Sequence, residues 1–300
     1  MTYSLGIDLG GSSVKALAVT RAGQTLASAN VDFDPGARME WAETIRSLVG
    51  QFYRDQGATA EAVGISAPGL AARDGRSIAV MPGRLDGLAG LDWTTFLNFP
   101  RHVPVLNDAH AALLGEAWLG AAKGFQNVAL LTLGTGVGGA AMVDGRLLRG
   151  HLGRAGHFGH LCLDIDGPPD VCRLPGSLES AIGNCTIAAR SGGRFQSTHA
   201  LVAAHLAGDA EASRVWLRSV RALACAIASL VNLLDPEAMI VGGGIAGAGP
   251  ALFDPLKKFV DEIEWQPAGH RVQILPAKLS GFAGACGAAF HARTQSPEGG

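Results

Sequence analysis

Cysteine is scarce and unpaired in this chain: Cys162, Cys172, Cys185, Cys225 and Cys286 make five, an odd number, with no Cys-x-x-Cys among them. That argues against a disulfide framework and for a reducing, cytoplasmic setting. Charge is equally spare. Lys and Arg total 24 against 26 Asp and Glu, a net −2 with a pI near 6.5, so the basic footprint of a nucleic-acid binder is missing. No stretch reaches ~18 uninterrupted apolar residues, which speaks against a membrane span. The start, Met1-Thr2-Tyr3-Ser4, lacks the basic head of a signal peptide. There is no Gly-x-x-x-x-Gly-Lys-Ser/Thr, hence no P-loop.

What the chain has is apolar bulk and glycine. Hydrophobic residues are 48% and charged residues 17% of 300, enough for a sizeable core in one large domain or two ordinary ones. Glycine is 42 of 300, about double the usual ~7%. The glycines follow no three-residue period, which excludes collagen. They cluster at the ends of apolar runs, where tight turns or close backbone approach to a ligand need them.

Apolar runs at 3–8, 14–20 and 25–31, split by Gly10-Gly11 and by Ala22-Gly23, predict a three-stranded antiparallel meander. Residues 39–53 set Trp41, Ile45, Leu48, Val49 and Phe52 at helical steps. Strands follow at 62–67, closed by Pro68-Gly69, and at 103–106, ending on Asn107-Asp108, with a helix from 109 to about 119. A new unit opens with strand 128–133, the loop Gly134-Thr135-Gly136-Val137-Gly138-Gly139, strand 140–143, the hairpin signal Asp144-Gly145 and strand 146–148. The order after Gly10-Gly11 thus recurs after Gly138-Gly139, roughly 128 residues later (138 − 10). Two related halves predict two domains with a ligand cleft. Residues 149–175, rich in Gly, Pro, His and Asp and without periodicity, read as a long functional loop. Helices at 178–189, 200–206 and 209–234, strand 238–241 into Gly242-Gly243-Gly244, helix 250–262, strand 272–275 and helix 283–292 complete the chain; 295–300 reads as a frayed tail.

Gly134-x-Gly136-x-x-Gly139 has the spacing of the dinucleotide fingerprint. That fingerprint opens a helix, however, and here a strand and an Asp-Gly turn follow, so the Rossmann reading loses. What remains is a glycine hairpin whose bare N–H groups can face phosphate oxygens. One such hairpin is only a tight turn; two in related positions favour phosphate binding. Asp8, just before the first bend, suits a Mg²⁺ that neutralises phosphates, or a turn cap. Asn107-Asp108 suits N-capping of the next helix, or a carboxylate that takes a proton from a substrate hydroxyl. His151, His157 and His160, with Cys172 and Glu179 beyond them, concentrate ligating groups in the long loop.

Together these residues resemble the ROK family of sugar kinases, in the actin/hexokinase-like superfamily, over nearly the whole chain. The matching segments are Asp8-Leu9-Gly10-Gly11-Ser12, Ala67-Pro68-Gly69, Asn107-Asp108-Ala109, LGTGVGGA at 133–140 and NLLDPEAMIVGGG at 232–244. The resemblance implies an α/β, two-domain ribonuclease-H-like fold. The first domain would span 1–117, joined by a C-terminal helix at about 288–300, and the second 118–287. It implies a cytoplasmic, glucokinase-like, ATP-dependent hexose kinase, homodimeric, with a sugar and Mg²⁺-bound ATP as partners and neither nucleic acid nor membrane. Asp108 would be the general base on the sugar hydroxyl, with Gly69, Asn107, His157, His160 and Glu179 at the sugar. Gly10, Gly11, Ser12, Gly134, Thr135, Gly136 and Gly138 would cradle phosphates. Asp8 would hold Mg²⁺, directly or through water, and Gly243 would lie near the nucleoside.

The chain also departs from the family pattern, which carries Glu-x-Gly-His, then Cys-x-Cys, a further Cys and a Glu. The three cysteine positions hold Asp170, Cys172 and Ser177, so only His160 and Cys172 of four zinc ligands remain. Zinc is therefore not expected, with Asp170 or Cys162 the candidates to rescue it, and the loop must be held by packing and hydrogen bonds. His157 replaces the family's Glu, so sugar preference is expected to differ and affinity to vary between pH 5 and 8. Pro82-Gly83-Arg84-Leu85 ahead of Trp93 replaces the family's Asn-Leu-x-Gly-Trp. The alternative is a catalytically weak sugar-binding or regulatory protein. A DNA-binding regulator would need a module ahead of the first strand, where two residues precede Tyr3; a chaperone-type ATPase would need large added domains.

Overall fold

The apolar run of β1 (Ser4–Leu9) is nearly continuous because it is the middle strand of a five-stranded sheet, covered on both faces. The computed structural model describes residues 2–81 and 83–295; Met1, Pro82 and 296–300 lie outside them, and with them the proline of the 82–85 segment and most of the expected tail. The chain divides into two compact units, Met1–Gly124 with Arg149–Ala155 and Lys278–Gly300, and Phe125–Leu148 with Gly156–Ala277. These changes of unit fall near, not at, the 117/118 and 287/288 boundaries read from the sequence, and the 149–155 segment carries no compositional mark of its allegiance.

In the first unit β1, β2 (Ser13–Val19) and β3 (Thr25–Asp32) form the expected meander. α1 (Glu40–Gln56) then crosses over, burying Trp41, Ile45, Leu48, Val49 and Phe52. β4 (Ala62–Ala67) lies parallel to β1; the short β5 (Leu70–Ala71) and β6 (Ile78–Val80) pair with each other. α2 (Trp93–Leu97) leads to β7 (Val105–Asn107), parallel to β4, and into α3 (Asp108–Leu119). The sheet order is β3-β2-β1-β4-β7.

The second unit repeats that order. β8 (Val128–Leu133), β9 (Val137–Val143) and β10 (Arg146–Leu147) form its meander. α4 (Leu178–Ile182), α5 (Ile187–Arg190), α6 (Thr198–Leu206) and α7 (Ala210–Leu234) precede β11 (Ala238–Gly242), and α8 (Pro250–Ile263) precedes β12 (Gln273–Pro276). Its sheet runs β10-β9-β8-β11-β12, with the last two strands parallel to β8. The expected duplication is one of topology, but not at the glycine pair from which it was read: Gly138 and Gly139 lie inside β9, paired with Thr132 and Leu131, and the bend that matches Gly10-Gly11-Ser12 is Gly134-Thr135-Gly136.

α7 is the one helix among the described residues long and apolar enough, by length and composition, to cross a membrane. Here Trp216, Val220, Leu223, Ile227 and Leu230 are buried in the core of the second unit. The single helix expected over 178–189 is broken. Asn184 N–H donates to the Gly134 carbonyl at 3.0 Å and Cys185 N–H to that of Thr135 at 2.8 Å, so these donors are not available to a helix.

α9 (Ala283–Gln295) closes the first unit. A Cβ on Gly6 or Gly64 would collide with the carbonyls of Ala285 or Ala288, so the sheet can take the helix backbone only where β1 and β4 carry no side chain.

Candidate active site

In the first unit Gly10-Gly11-Ser12 joins β1 to β2. Gly10 N–H donates to the Ser13 carbonyl at 2.8 Å and the Ser12 carbonyl accepts from Phe33 N–H at 3.0 Å. The N–H groups of Gly11 and Ser12 find no protein acceptor among the described residues. Sheet register then decides what stands beside the bend. Asp8 is opposite Lys15 on β2 and Ser66 on β4, so the three share one stretch of sheet. Ser66 Oγ donates to Asp8 Oδ1 at 2.6 Å. Burial pushes the Asp8 carboxyl up to about 6 and the Asp108 charge adds to it, against the Ser66 hydrogen bond and the Lys15 charge. Arg84 also reaches the bend: its Nη1 lies 3.4 Å from where a Gly11 Cβ would be.

Gly69 has φ +100°, and a Cβ there would lie 2.5 Å from the Val80 carbonyl oxygen, so only glycine fits. Its own carbonyl accepts from Asn107 Nδ2 at 3.0 Å. Asn107 Oδ1 accepts from the N–H groups of Ala109 (3.0 Å) and His110 (3.3 Å). The capping role of Asn107 is thus realised, and it fixes the amide. Asp108, exposed at the first position of α3, takes the Ala109 N–H at 2.8 Å.

In the second unit Gly134-Thr135-Gly136 joins β8 to β9. Gly134 N–H donates to the Gly136 carbonyl at 2.9 Å, and the Gly134 and Thr135 carbonyls take the Asn184 and Cys185 donors already described. Thr135 and Gly136 N–H have no protein acceptor among the described residues. Gly138 belongs to β9, paired with Thr132. Glu179, on α4, accepts from Val137 N–H through Oε2 at 2.9 Å, while Oε1 takes no hydrogen bond from the described residues. Gly243 abuts the main chain of Leu133 at the foot of this bend. His157 precedes a 3-10 turn, Phe158–His160, that lies on β9 because Gly159 has no side chain to meet the Val137 carbonyl. The histidine cluster itself divides: His151 falls in the first unit, His157 and His160 in the second.

A family model described as "ROK family" matches residues 4–295. The chain belongs to the ROK family. It is 31% identical to a glucokinase of Thermotoga maritima over 95% of each chain. It is 30% identical to an N-acetylmannosamine kinase of Yersinia pseudotuberculosis over 98% of this chain and 99% of that one. A ROK family glucokinase from Streptomyces griseus, solved in complex with glucose and AMPPNP, is similar with a TM-score of 0.82 at 28% identity, over 97% of this chain and 99% of that one. The fold is accordingly α/β, of the actin/hexokinase-like type.

At the zinc positions of the ROK pattern, His160, Asp170 and Cys172 bring one ligand atom each within 4.8 Å of one another, a group that could hold a metal ion. His160 Nδ1 stands 2.8 Å from Asp170 Oδ2 and Nε2 stands 3.5 Å from Cys172 Sγ. Ligands held 2.0–2.1 Å from a tetrahedral zinc lie ~3.3 Å apart, so the first contact is a hydrogen bond. Asp170 and Cys172 address different nitrogens of one ring, and a single ion binds through only one. Ser177 caps α4, accepting from Ser180 N–H at 3.2 Å, and Cys162 is exposed and outside the cluster. The order Asp170–His160–Cys172 is that of a nucleophile with its base and orienting acid. Burial, Asp170 and Glu179 all push the Cys172 thiol up, however, which opposes a thiolate.

Three groups escaped the sequence reading: Lys15, Ser66 and Arg84. The first two carry a usable signal, because a β1–β2 hairpin closed by Gly10–Ser12 places Lys15 across from Asp8 by register alone. Arg84 comes from an irregular segment and carries none.

Proposed function

We propose that this ROK protein is an ATP-dependent sugar kinase, glucokinase-like, with Asp108 as its general base. The observation that carries the reading lies in the first unit: the Asp8 carboxyl, raised chiefly by burial and further by the Asp108 charge, stands beside a bend with unengaged N–H groups and two cations. The second unit supplies a matching bend, and the kinase relatives support the same class of reaction.

The Asp108 carboxylate accepts the proton of a sugar hydroxyl as that oxygen bonds to the γ-phosphorus, and the bond to the bridging oxygen of ADP breaks. Asn107, His157 and the unengaged Oε1 of Glu179 orient the sugar. The N–H groups of Gly11, Ser12, Thr135 and Gly136 face phosphate oxygens, and Lys15 and Arg84 add positive charge. The half-buried Asp8 carboxylate, with Oδ2 accepting no hydrogen bond from the described residues and pushed up to about 6, suits a Mg²⁺ or its water. That ion, when bound, neutralises phosphate charge.

His157 offers one donor and one acceptor where a carboxylate would accept twice, so the sugar preference is that of neither relative by necessity. A coupled ADP-release assay over hexoses and N-acetylhexosamines tests the reading. Turnover on at least one sugar is expected, and Asp108→Asn lowers kcat by about 10²–10⁴. Sugar binding with no turnover on any would assign the chain to the sugar-binding alternative.

A further inference from the structure

Asp170 stands at one of the ROK cysteine positions, and its side chain is 2% exposed. Its carboxylate collects donors from around the arm. Cys172 N–H reaches Oδ1 at 2.8 Å, Leu174 N–H reaches it at 3.0 Å, and the His160 ring reaches Oδ2 at 2.8 Å. Ser177 is the other replaced cysteine. It is fully buried, bridges to Cys162 across the arm, and caps α4. A site that had merely lost an ion would leave polar groups stranded, each at a cost. Here both replacements are hydrogen-bonded, Asp170 to three donors of the arm and Ser177 Oγ to the N–H and hydroxyl of Ser180.

We propose that the Asp170 carboxylate takes the place of a zinc ion as the organising centre of the arm from His160 to Glu179, making Asp170 a metal-independent positioning residue. The chain of contacts is short. Asp170 holds the ring of His160, whose turn lies on β9, and through the N–H groups of Cys172 and Leu174 it holds the stretch that leads to Ser177, which caps the helix carrying Glu179; Glu179 holds Val137 at the second bend. The effect on catalysis rests on the sugar-kinase reading; the metal-free arm does not.

The experiment is metal analysis and melting of the full chain, purified from zinc-supplemented culture. Wild type is expected to carry under ~0.1 zinc per chain and to melt at the same temperature with and without a chelator. Asp170→Asn, similar in shape but lacking the charge, lowers Tm by about 5 °C and raises the sugar KM about tenfold more than it lowers kcat. The double variant Asp170→Cys, Ser177→Cys completes one histidine and three cysteines. It takes up about one zinc per chain and, unlike wild type, loses Tm when the ion is removed. About one chelator-removable zinc in wild type, with a falling Tm, overturns the proposal. So does an Asp170→Asn protein with wild-type Tm and KM, or a double variant as stable without zinc as wild type. If Asp170→Asn fails to fold, the double variant decides. If no sugar is turned over, the metal and melting results still stand, so failure of the kinase reading is told apart from failure of this one.

Discussion

Gly10-Gly11-Ser12 and Gly134-Thr135-Gly136 connect the same two strands of the same sheet order, one in each unit. Their surroundings differ. The first bend takes its charge from its own hairpin and the adjoining strand: Asp8 before it, Lys15 after it and Ser66 beside it. The second has no ionisable residue on its hairpin strands, and is held from outside by Glu179, Asn184 and Cys185, more than 40 residues further along. One bend is made by local pairing; the other depends on the arm and helix that reach back to it. Duplicated topology thus carries two different ways of presenting bare N–H groups, and substitutions should separate them.

The largest separation is expected at the carboxylate that only the first bend has. Asp8→Asn keeps an acceptor for Ser66 but removes the charge, and kcat/KM for MgATP falls by about 10²–10³. A loss below threefold in the coupled assay would show that Asp8 does not set the first bend apart.

The same contrast explains what could be read in the sequence. Asp8, Gly69, Asn107 and Asp108 stand at strand ends beside glycines or a helix start, and their places follow from local pattern. The meanders, the repeat and the C-terminal helix followed from period and turn residues in the same way. Glu179 holding Val137 could not be read, because 42 residues and an irregular arm separate them. Nor could the break in helix 178–189, since nothing local tells Asn184 and Cys185 that their N–H groups belong to the second bend. Asp170 looked like a lost ligand until its three donors were in place.

Stability should divide along the same line. His291, on the α9 helix that closes the first unit, is held down to about 4 by burial, with Arg149 and His102 adding to it. It is neutral when folded and takes up a proton when unfolded near pH 6.5. The unfolded chain therefore binds more protons between pH 6.5 and 4, and stability falls as pH drops through that window, by up to roughly 3 kcal/mol. His291→Phe removes this acid sensitivity. Denaturant melts at pH 7 and 4.5 check it: equal acid losses in variant and wild type would move the acid lability away from the first unit.

The finest test puts one methyl group on each bend. Neither Gly11 nor Gly136 is among the residues with positive φ, so alanine meets no backbone strain at either. At Gly11 the new Cβ meets only Arg84 Nη1, 3.4 Å away at the end of a flexible chain. At Gly136 it overlaps the Glu179 carboxylate. Glu179 must then swing off the Val137 N–H, and a hydrogen bond to a charged group is worth about 1.5–3 kcal/mol. Gly136→Ala should therefore lower the Tm of the ligand-free protein by several degrees, whereas Gly11→Ala leaves it within about 1 °C. Both should raise the KM for ATP, because each methyl stands where a phosphate approaches bare backbone. The fold requires glycine at 136; at 11 only the ligand does. A Gly11→Ala protein with unchanged KM as well as unchanged Tm would mean that no phosphate comes close to the first bend, and the likeness of the two bends would then be one of topology alone.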